Sequence, residues 1–336
     1  MEEKKKSLIR HFCCLLCGLM LSLSAFGQER DTAYIATYQD RLLIGPYLRY
    51  RTISQSFFAG GAGSQGLIKG NDLGIQNQGI GLGARVVLGR LGLGGTLPLR
   101  TIYPLDLEQT KSLGLSGELM FQKVALGGGL RFRRGFNTRS GNDFLFREDL
   151  RRWEIDVSTI YAFNHERYSF RGPLRLVERQ KQSAGSFLLA FQAEAHLFQG
   201  DSVLVAGADV PLRFQSYRHL NLLPAIGYGG TWVKGDWYAS IMLLAYGKFS
   251  LLGLDGNRQP ISIGARPHER FAVGYHSDRW FLSLNGLLEQ DFNWGSKTVI
   301  LESQRTIYLS YGYRFDPPNK VRKAGRRIER LIWKDK

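Results

Sequence analysis

After Cys17 the chain has no cysteine. The three it carries, Cys13, Cys14 and Cys17, sit together near the start, so nothing downstream can form a disulfide, a thiolate metal site or a thiol nucleophile. Histidine is also scarce, and His165, His196, His219, His268 and His276 form no H-x-H or HExxH spacing, nor is there an Asp-rich loop. No metal and no cofactor is implied. None of these histidines accompanies a nucleophile-elbow G-x-S-x-G; His196 shares an alternation face with Glu194 and Ser186, which reads as a polar cluster rather than as catalytic machinery. The chain is therefore expected not to be an enzyme, with a lipid-modifying activity as the distant alternative. Beyond the first 27 residues there is also no apolar run of the roughly 18 to 20 residues that a membrane helix needs.

What is present begins with an export signal. Lys4, Lys5, Lys6 and Arg10 precede an apolar stretch from Phe12 to Leu23 and the small-x-small pattern Ala25-Phe26-Gly27, which predicts cleavage after residue 27. Acylation at Cys17 fits less well, because Leu16 stands where a small residue is wanted. The formal charge is +16, and the four basic and two acidic residues of the first 27 leave +14 on the remainder. Residues 316–336 form a basic tail in which Val321, Ala324, Ile328, Leu331 and Ile332 recur at helical spacing, as in an amphipathic helix. Export makes nucleic acid an unsuitable partner for this charge. Anionic lipid or lipopolysaccharide suits it better, with peptidoglycan or a periplasmic protein as a further candidate.

The body of the chain alternates with period two. Trp153, Ile155, Val157, Tyr161 and Phe163 share one face of their segment, and Glu154, Asp156 and Ser158 share the other. Phe187, Leu189, Phe191, Ala193, Ala195 and Leu197 oppose Ser186, Gln192, Glu194 and His196 in the same way. Twelve such segments are predicted, at 42–54, 79–88, 91–101, 113–122, 124–134, 151–164, 184–198, 220–233, 237–249, 269–277, 280–289 and 304–315. Ten to fourteen strands would be compatible with the pattern.

Two physical features favour a membrane barrel over a soluble β-sandwich. Trp153 and Phe163 lie ten residues apart on one face, which at about 3.3 Å per residue and a tilt near 40° spans roughly 25 Å, the height of a lipid-facing band with an aromatic at each rim. Connections also alternate. Tight joints at 89–90, 123, 234–236 and 278–279 interleave with long ones at 55–78, 102–112, 135–150, 199–219, 250–268 and 290–303. That is the rule for an antiparallel up-and-down barrel with both termini in the periplasm. The link 165–183 breaks it, being long where a turn belongs.

That link and its flanks, Phe163-Asn164-His165-Glu166-Arg167-Tyr168-Ser169-Phe170-Arg171 and Glu178-Arg179-Gln180-Lys181-Gln182-Ser183-Ala184-Gly185-Ser186-Phe187, resemble the signature of an outer-membrane family of the Bacteroidetes, domain of unknown function 4421. The Asp31 to Leu43 opening and the Tyr311-Gly312-Tyr313-Arg314-Phe315 close are similar too. Tyr168 and Gln182 depart from the family's usual phenylalanine and lysine. The resemblance implies a barrel in the outer membrane and brings no catalytic residues with it.

The organisation expected is thus a signal at 1–27, a periplasmic segment at 28–41, a monomeric transmembrane all-β barrel at 42–315 and the tail at 316–336. Candidate binding residues are the lumen charges Arg49, Arg131, Arg133, Glu154, Asp156, Glu194 and Arg314, together with Gln180 and Lys181 of the link. Also lumen-facing are Arg51, Arg85, Arg100, Glu118 and Glu289. These charges either pair across the barrel or line a path for anionic solutes. The link either plugs the barrel, docks a partner or remains a solvated loop. The functions that follow are a narrow or plugged channel or transporter for small solutes, or a structural barrel that docks an envelope partner through 165–183 and the tail.

Overall fold

The computed structural model describes residues 31–323 except 39, 60–73, 104–109, 122, 141–142, 176, 207–211, 259–260 and 295–297. Residues 1–30, where the signal is expected, 60–73 and tail residues 324–336 lie outside the described residues.

One antiparallel sheet closes on itself. Its strands in chain order are β2 (Leu42–Ala59), β3 (Gly74–Leu88), β4 (Leu91–Tyr103), β5 (Lys111–Met120), β6 (Val124–Ser140), β7 (Asp143–Ala162), β9 (Ala184–Ala206), β10 (Leu212–Lys234), β11 (Trp237–Leu254), β13 (Ser262–His276), β14 (Trp280–Gln290) and β16 (Thr298–Phe315). Each pairs with its neighbour and β16 returns to β2, with Leu309 opposite Leu48, so twelve strands make a barrel without a free edge. At one rim the short strand β12 (Asn257–Arg258) pairs back against the end of β11, and β15 (Phe292–Trp294) continues β14 alongside β13. A separate two-stranded sheet pairs β1 (Ile35–Thr37) with β8 (Glu178–Gln180), just after the short helix α1 (Arg171–Arg175). A closed single sheet rules out the β-sandwich.

The alternation decides which face is which. Phe187, Ile226, Trp232 and Trp237 stand 60–70% exposed on the outside, whereas their strand neighbours Ser186, Ala225, Thr231 and Tyr238 are buried within. An outer surface of exposed Leu, Ile, Val and aromatic side chains is uneconomical in water and is what acyl chains require. At the short-turn end, aromatics close into a belt. Tyr275 stacks on Trp280 at 4.6 Å between ring centroids and meets Trp237 edge-on at 5.4 Å, while Tyr161 meets Phe163 at 5.1 Å. Phe132 and Trp153, 4.5 Å apart, sit some ten residues higher. Gly89 and Gly235, with φ of 60° and 62°, supply the left-handed residue for two of the tight turns.

All twelve predicted strands are present, but their two ends fared differently. The turn-side ends match the pattern within two residues, whereas the opposite ends, except those of β4, β5 and β14, run well past it. The intervals 135–150, 199–219, 250–268 and 290–303, read as long loops, are mostly strand. β9 and β10 reach 23 residues each, about twice the 9–11 that cross a bilayer. Above the band the contrast reverses, with Phe136, Leu150, Phe198 and Tyr217 buried inside and Arg151, Gln199 and Arg218 exposed outside, while pairing continues. At that rim β3 also pairs directly with β6, through Gly74 with Arg139 and Ile75 with Thr138, past the ends of the shorter β4 and β5.

Candidate functional site

The link between β7 and β9 folds back into the barrel. Tyr168 and Phe170 are almost wholly buried among the lumen side chains Leu188, Ala190, Leu223, Ala225, Met242, Leu244 and Tyr246, and Leu174 and Val177 pack against Leu43, Val87, Met120 and Phe281. These lumen residues are apolar because they face the link; a water-filled lumen would select polar ones at the same positions. Of the three readings for 165–183, the plug is the one the packing describes. Each such side chain contributes roughly 1.5–3 kcal/mol on burial.

The plug's internal bonds come from the residues that carried the family resemblance. Ser169 donates its hydroxyl to Glu178, which also holds Arg171 at 2.7 Å, and Gly172 N–H donates to Ser169 Oγ at 3.0 Å. Gln180 Oε1 accepts from Ser169 N–H at 2.8 Å and its amide donates to Gln182 O at 2.9 Å. Asn164 Nδ2 donates to Gly185 O at 2.9 Å, fastening the plug's entry to β9. Gln180 is thus a structural residue buried in the plug. Lys181 is exposed at the base, with Nζ donating to Thr32 O at 2.9 Å.

The N-terminal segment lies beneath and is latched there. Tyr38 donates to Asp278 at 2.8 Å, Arg179 reaches the same carboxylate at 2.9 Å and also Asp236, and Arg41 Nη1 donates to Asp278 O at 3.1 Å. Arg314 belongs to this base. Its guanidinium lies 4.1 Å from the Tyr38 ring centroid, donates to Ser277 O at 3.0 Å and bonds His276, well away from the other candidate charges. The hydrogen bond from Tyr38, followed by Arg179, holds the Asp278 carboxyl below its ordinary range, and burial with the Asp278 bond pushes the Tyr38 phenol up to about 12. A depressed carboxyl contributes above its unfolded pKa and stops contributing as pH falls through the lowered value; a raised phenol contributes below pH 10 and stops as pH rises through about 12. The latch should therefore hold from below the usual carboxylate range to strongly alkaline pH. Asp278→Asn is expected to loosen it at pH 8, seen as faster trypsin cleavage at Arg41, and the alkaline titration of Tyr38→Phe should lose the absorbance of one tyrosinate near pH 12 relative to wild type.

Above the plug is a chamber of about 300 Å3. Its floor includes Leu43, Leu174 and Phe281, and one wall is nearly bare, made by Gly114, Ser116, Gly127 and Gly129. At Gly129 an added Cβ would stand 2.6 Å from Asp156 Oδ1, so glycine there gives the acid its room.

The walls carry two ion-pair clusters. In one, Glu154 receives Arg131 at 3.0 Å, Arg133 at 3.2 Å and Arg152 at 2.8 Å, while Arg131 also reaches Asp156 at 2.8 Å and Arg152 reaches Glu302 at 3.0 Å. In the other, Arg266 bridges Glu194 at 2.7 Å and Asp291, Lys248 joins Asp291, and His268 meets Glu289 at 2.7 Å. Arg131, Arg133, Glu154 and Asp156 thus come together as one group, and Glu194 belongs to the second. Arg49 lines the chamber outside both. Ser186, ten residues down the strand from His196, bonds Asn164 N–H and Phe187 O, so it makes no pair with that histidine.

Sequence reading missed Arg152, Lys248, Arg266, Asp291 and Glu302. The last three lie in intervals read as loops, where Pro267 further disguises a strand. Arg152 and Lys248 had the correct parity and were the readable signal. The Arg100 side chain lies outside the described residues.

A family model described as Domain of unknown function (DUF4421) matches residues 29–315, from the N-terminal segment through the plug to the last strand. The chain belongs to that family. The family's model thus takes in both ion-pair clusters and the latch. Solved barrels are similar at low identity: the outer membrane protease OmpT from Escherichia coli (8% identity, 83% of this chain and 98% of that one, TM-score 0.40), the COG4313 outer membrane channel from Pseudomonas putida F1 (12%, 86% and 100%, 0.37) and the beta domain of the Bordetella autotransporter BrkA (15%, 81% and 99%, 0.39). No curated protein matches the chain in sequence.

Proposed function

We propose that the chain is a plugged outer-membrane transporter for small polar solutes, with its turns and plug on the periplasmic side and its chamber toward the exterior. The observation that carries this reading is the placement of 163–183, which fills the turn-side half of the lumen directly beneath a charged chamber. A purely structural barrel has no need of a chamber, and an open pore has no need of an apolar seat for a plug. The outward apolar face with its aromatic belt supports the membrane location, and the short turns support the periplasmic assignment of that end.

Planar bilayer recordings test it. The wild-type barrel should be silent or nearly so, and a variant with residues 165–182 replaced by a short Gly-Ser turn should give stable conductance steps, its folding established by heat-modifiable migration on gels. Wild-type steps of the same size would show that the plug does not close the lumen. Silence from a folded plug-deleted barrel, together with a co-purifying periplasmic protein, would replace transport with docking.

A further inference from the structure

The charges of the chamber are not evenly satisfied. Glu154, Asp156 and Glu302 are held by arginines of the first cluster, Glu194 and Asp291 by Arg266 and Lys248 of the second, and Glu289 meets the His268 ring. Arg49 and Arg51, two residues apart on the lumen face of β2, have no carboxylate among the described residues. Arg49 makes no hydrogen bond among those residues, and its Nη2 rests over bare backbone, 3.3 Å from where a Cβ at Gly81 would stand. Arg51 reaches only the neutral amide oxygen of Gln304, and its Nε has no partner. The strongest charge effects on Arg51 come from Arg133 and Arg131, then from the carboxylate Glu154, which already serves three arginines, and from Arg49.

Guanidiniums withdrawn from bulk water without a counter-charge are costly, and arginine's planar fork matches the paired oxygens of an oxyanion. Both side chains line the chamber, and the bare glycine wall leaves the space beside them open. At about 30 Å3 per water, that volume holds about ten waters, or one anion between a sulfate and a small sugar acid in size. We propose that the chamber is a binding site for a small oxyanion-bearing solute, anchored by Arg49 and Arg51. This names the solute class of the transporter and rests on reading the chamber as its solute site.

The test uses the full-length barrel in non-ionic detergent, with sodium sulfate and sodium acetate as probes against sodium chloride at matched ionic strength. Wild type should bind sulfate calorimetrically and melt higher in it than in chloride; acetate shows whether a planar carboxylate suffices. Arg49→Gln/Arg51→Gln should weaken sulfate by about tenfold for each guanidinium removed. Because neither arginine holds a structural carboxylate, the double variant should melt in chloride as high as wild type or higher.

Equal sulfate affinity in the two proteins would overturn the proposal, as would absence of any sulfate effect beyond chloride. So would a double variant that melts lower in chloride, since the arginines would then be structural. The outcomes separate from those for the plug. Sulfate binding that needs Arg49 and Arg51, with a silent plug-deleted barrel, removes transport and leaves the anion site. Conductance on plug deletion, with unchanged sulfate affinity in the double variant, removes the site and leaves the gate.

Discussion

Glu154→Ala is expected to cost about 3–5 kcal/mol of folding stability, the penalty for leaving a buried charge alone. The acid is 3% exposed and is bonded by three arginines, but those arginines differ in what else they hold. Arg131 keeps Asp156 and Arg152 keeps Glu302. Arg133, only 6% exposed, keeps no carboxylate, and it should account for most of the loss. Urea unfolding of the barrel in detergent micelles, followed by tryptophan fluorescence, measures the effect. Glu154→Ala/Arg133→Met should recover most of it, because an apolar side chain replaces the stranded guanidinium. A single variant as stable as wild type would show that water reaches this cluster freely.

Gly229→Val is expected to expel the plug from its seat while leaving the barrel closed. A Cβ at Gly229 would stand 2.1 Å from the Tyr168 hydroxyl oxygen and 2.8 Å from Cζ, so even alanine forces the ring away. Tyr168 is 1% exposed and sits at the centre of the plug's apolar contacts, and large-to-small losses at such sites run to about 3–5 kcal/mol. Trypsin reports the outcome, since Arg171 is buried in wild type. The variant should be nicked in 163–183 within the time that wild type resists, and Gly229→Val/Tyr168→Ala should regain part of that protection by restoring the space. Unchanged resistance in a folded Gly229→Val barrel would mean that the plug is held by its Ser169, Glu178 and Gln180 bonds and not by its packing.

Much of the site is legible in the sequence. The parity of Arg131, Arg133, Glu154 and Asp156 placed them in the lumen, and they do share one cluster, because cross-strand neighbours of equal parity must meet. Pairing, the structural reading of these charges, is what five of the chamber's carboxylates exhibit with arginine or lysine. Arg314 had the right parity but the wrong height; parity gives a face and says nothing of depth. Gln180 was marked only through its motif, and its role inside the plug depends on contacts that no alternation pattern encodes.

Read alone, the chain determined the number of strands, their inner and outer faces and their turn-side ends, because a twofold period beside lipid writes itself directly into neighbouring residues. It could not determine where the strands end above the bilayer, since there the apolar face turns inward, at Phe136, Leu150, Phe198 and Tyr217, and the pattern of the lipid band no longer applies. Only the tertiary structure decided that 163–183 turns inward and which charges meet, for Arg152 and Glu302 or Glu194 and Arg266 lie far apart along the chain and become neighbours only when the barrel closes. That same closure leaves Arg49 and Arg51 facing open space, a consequence of three-dimensional register that local sequence cannot express.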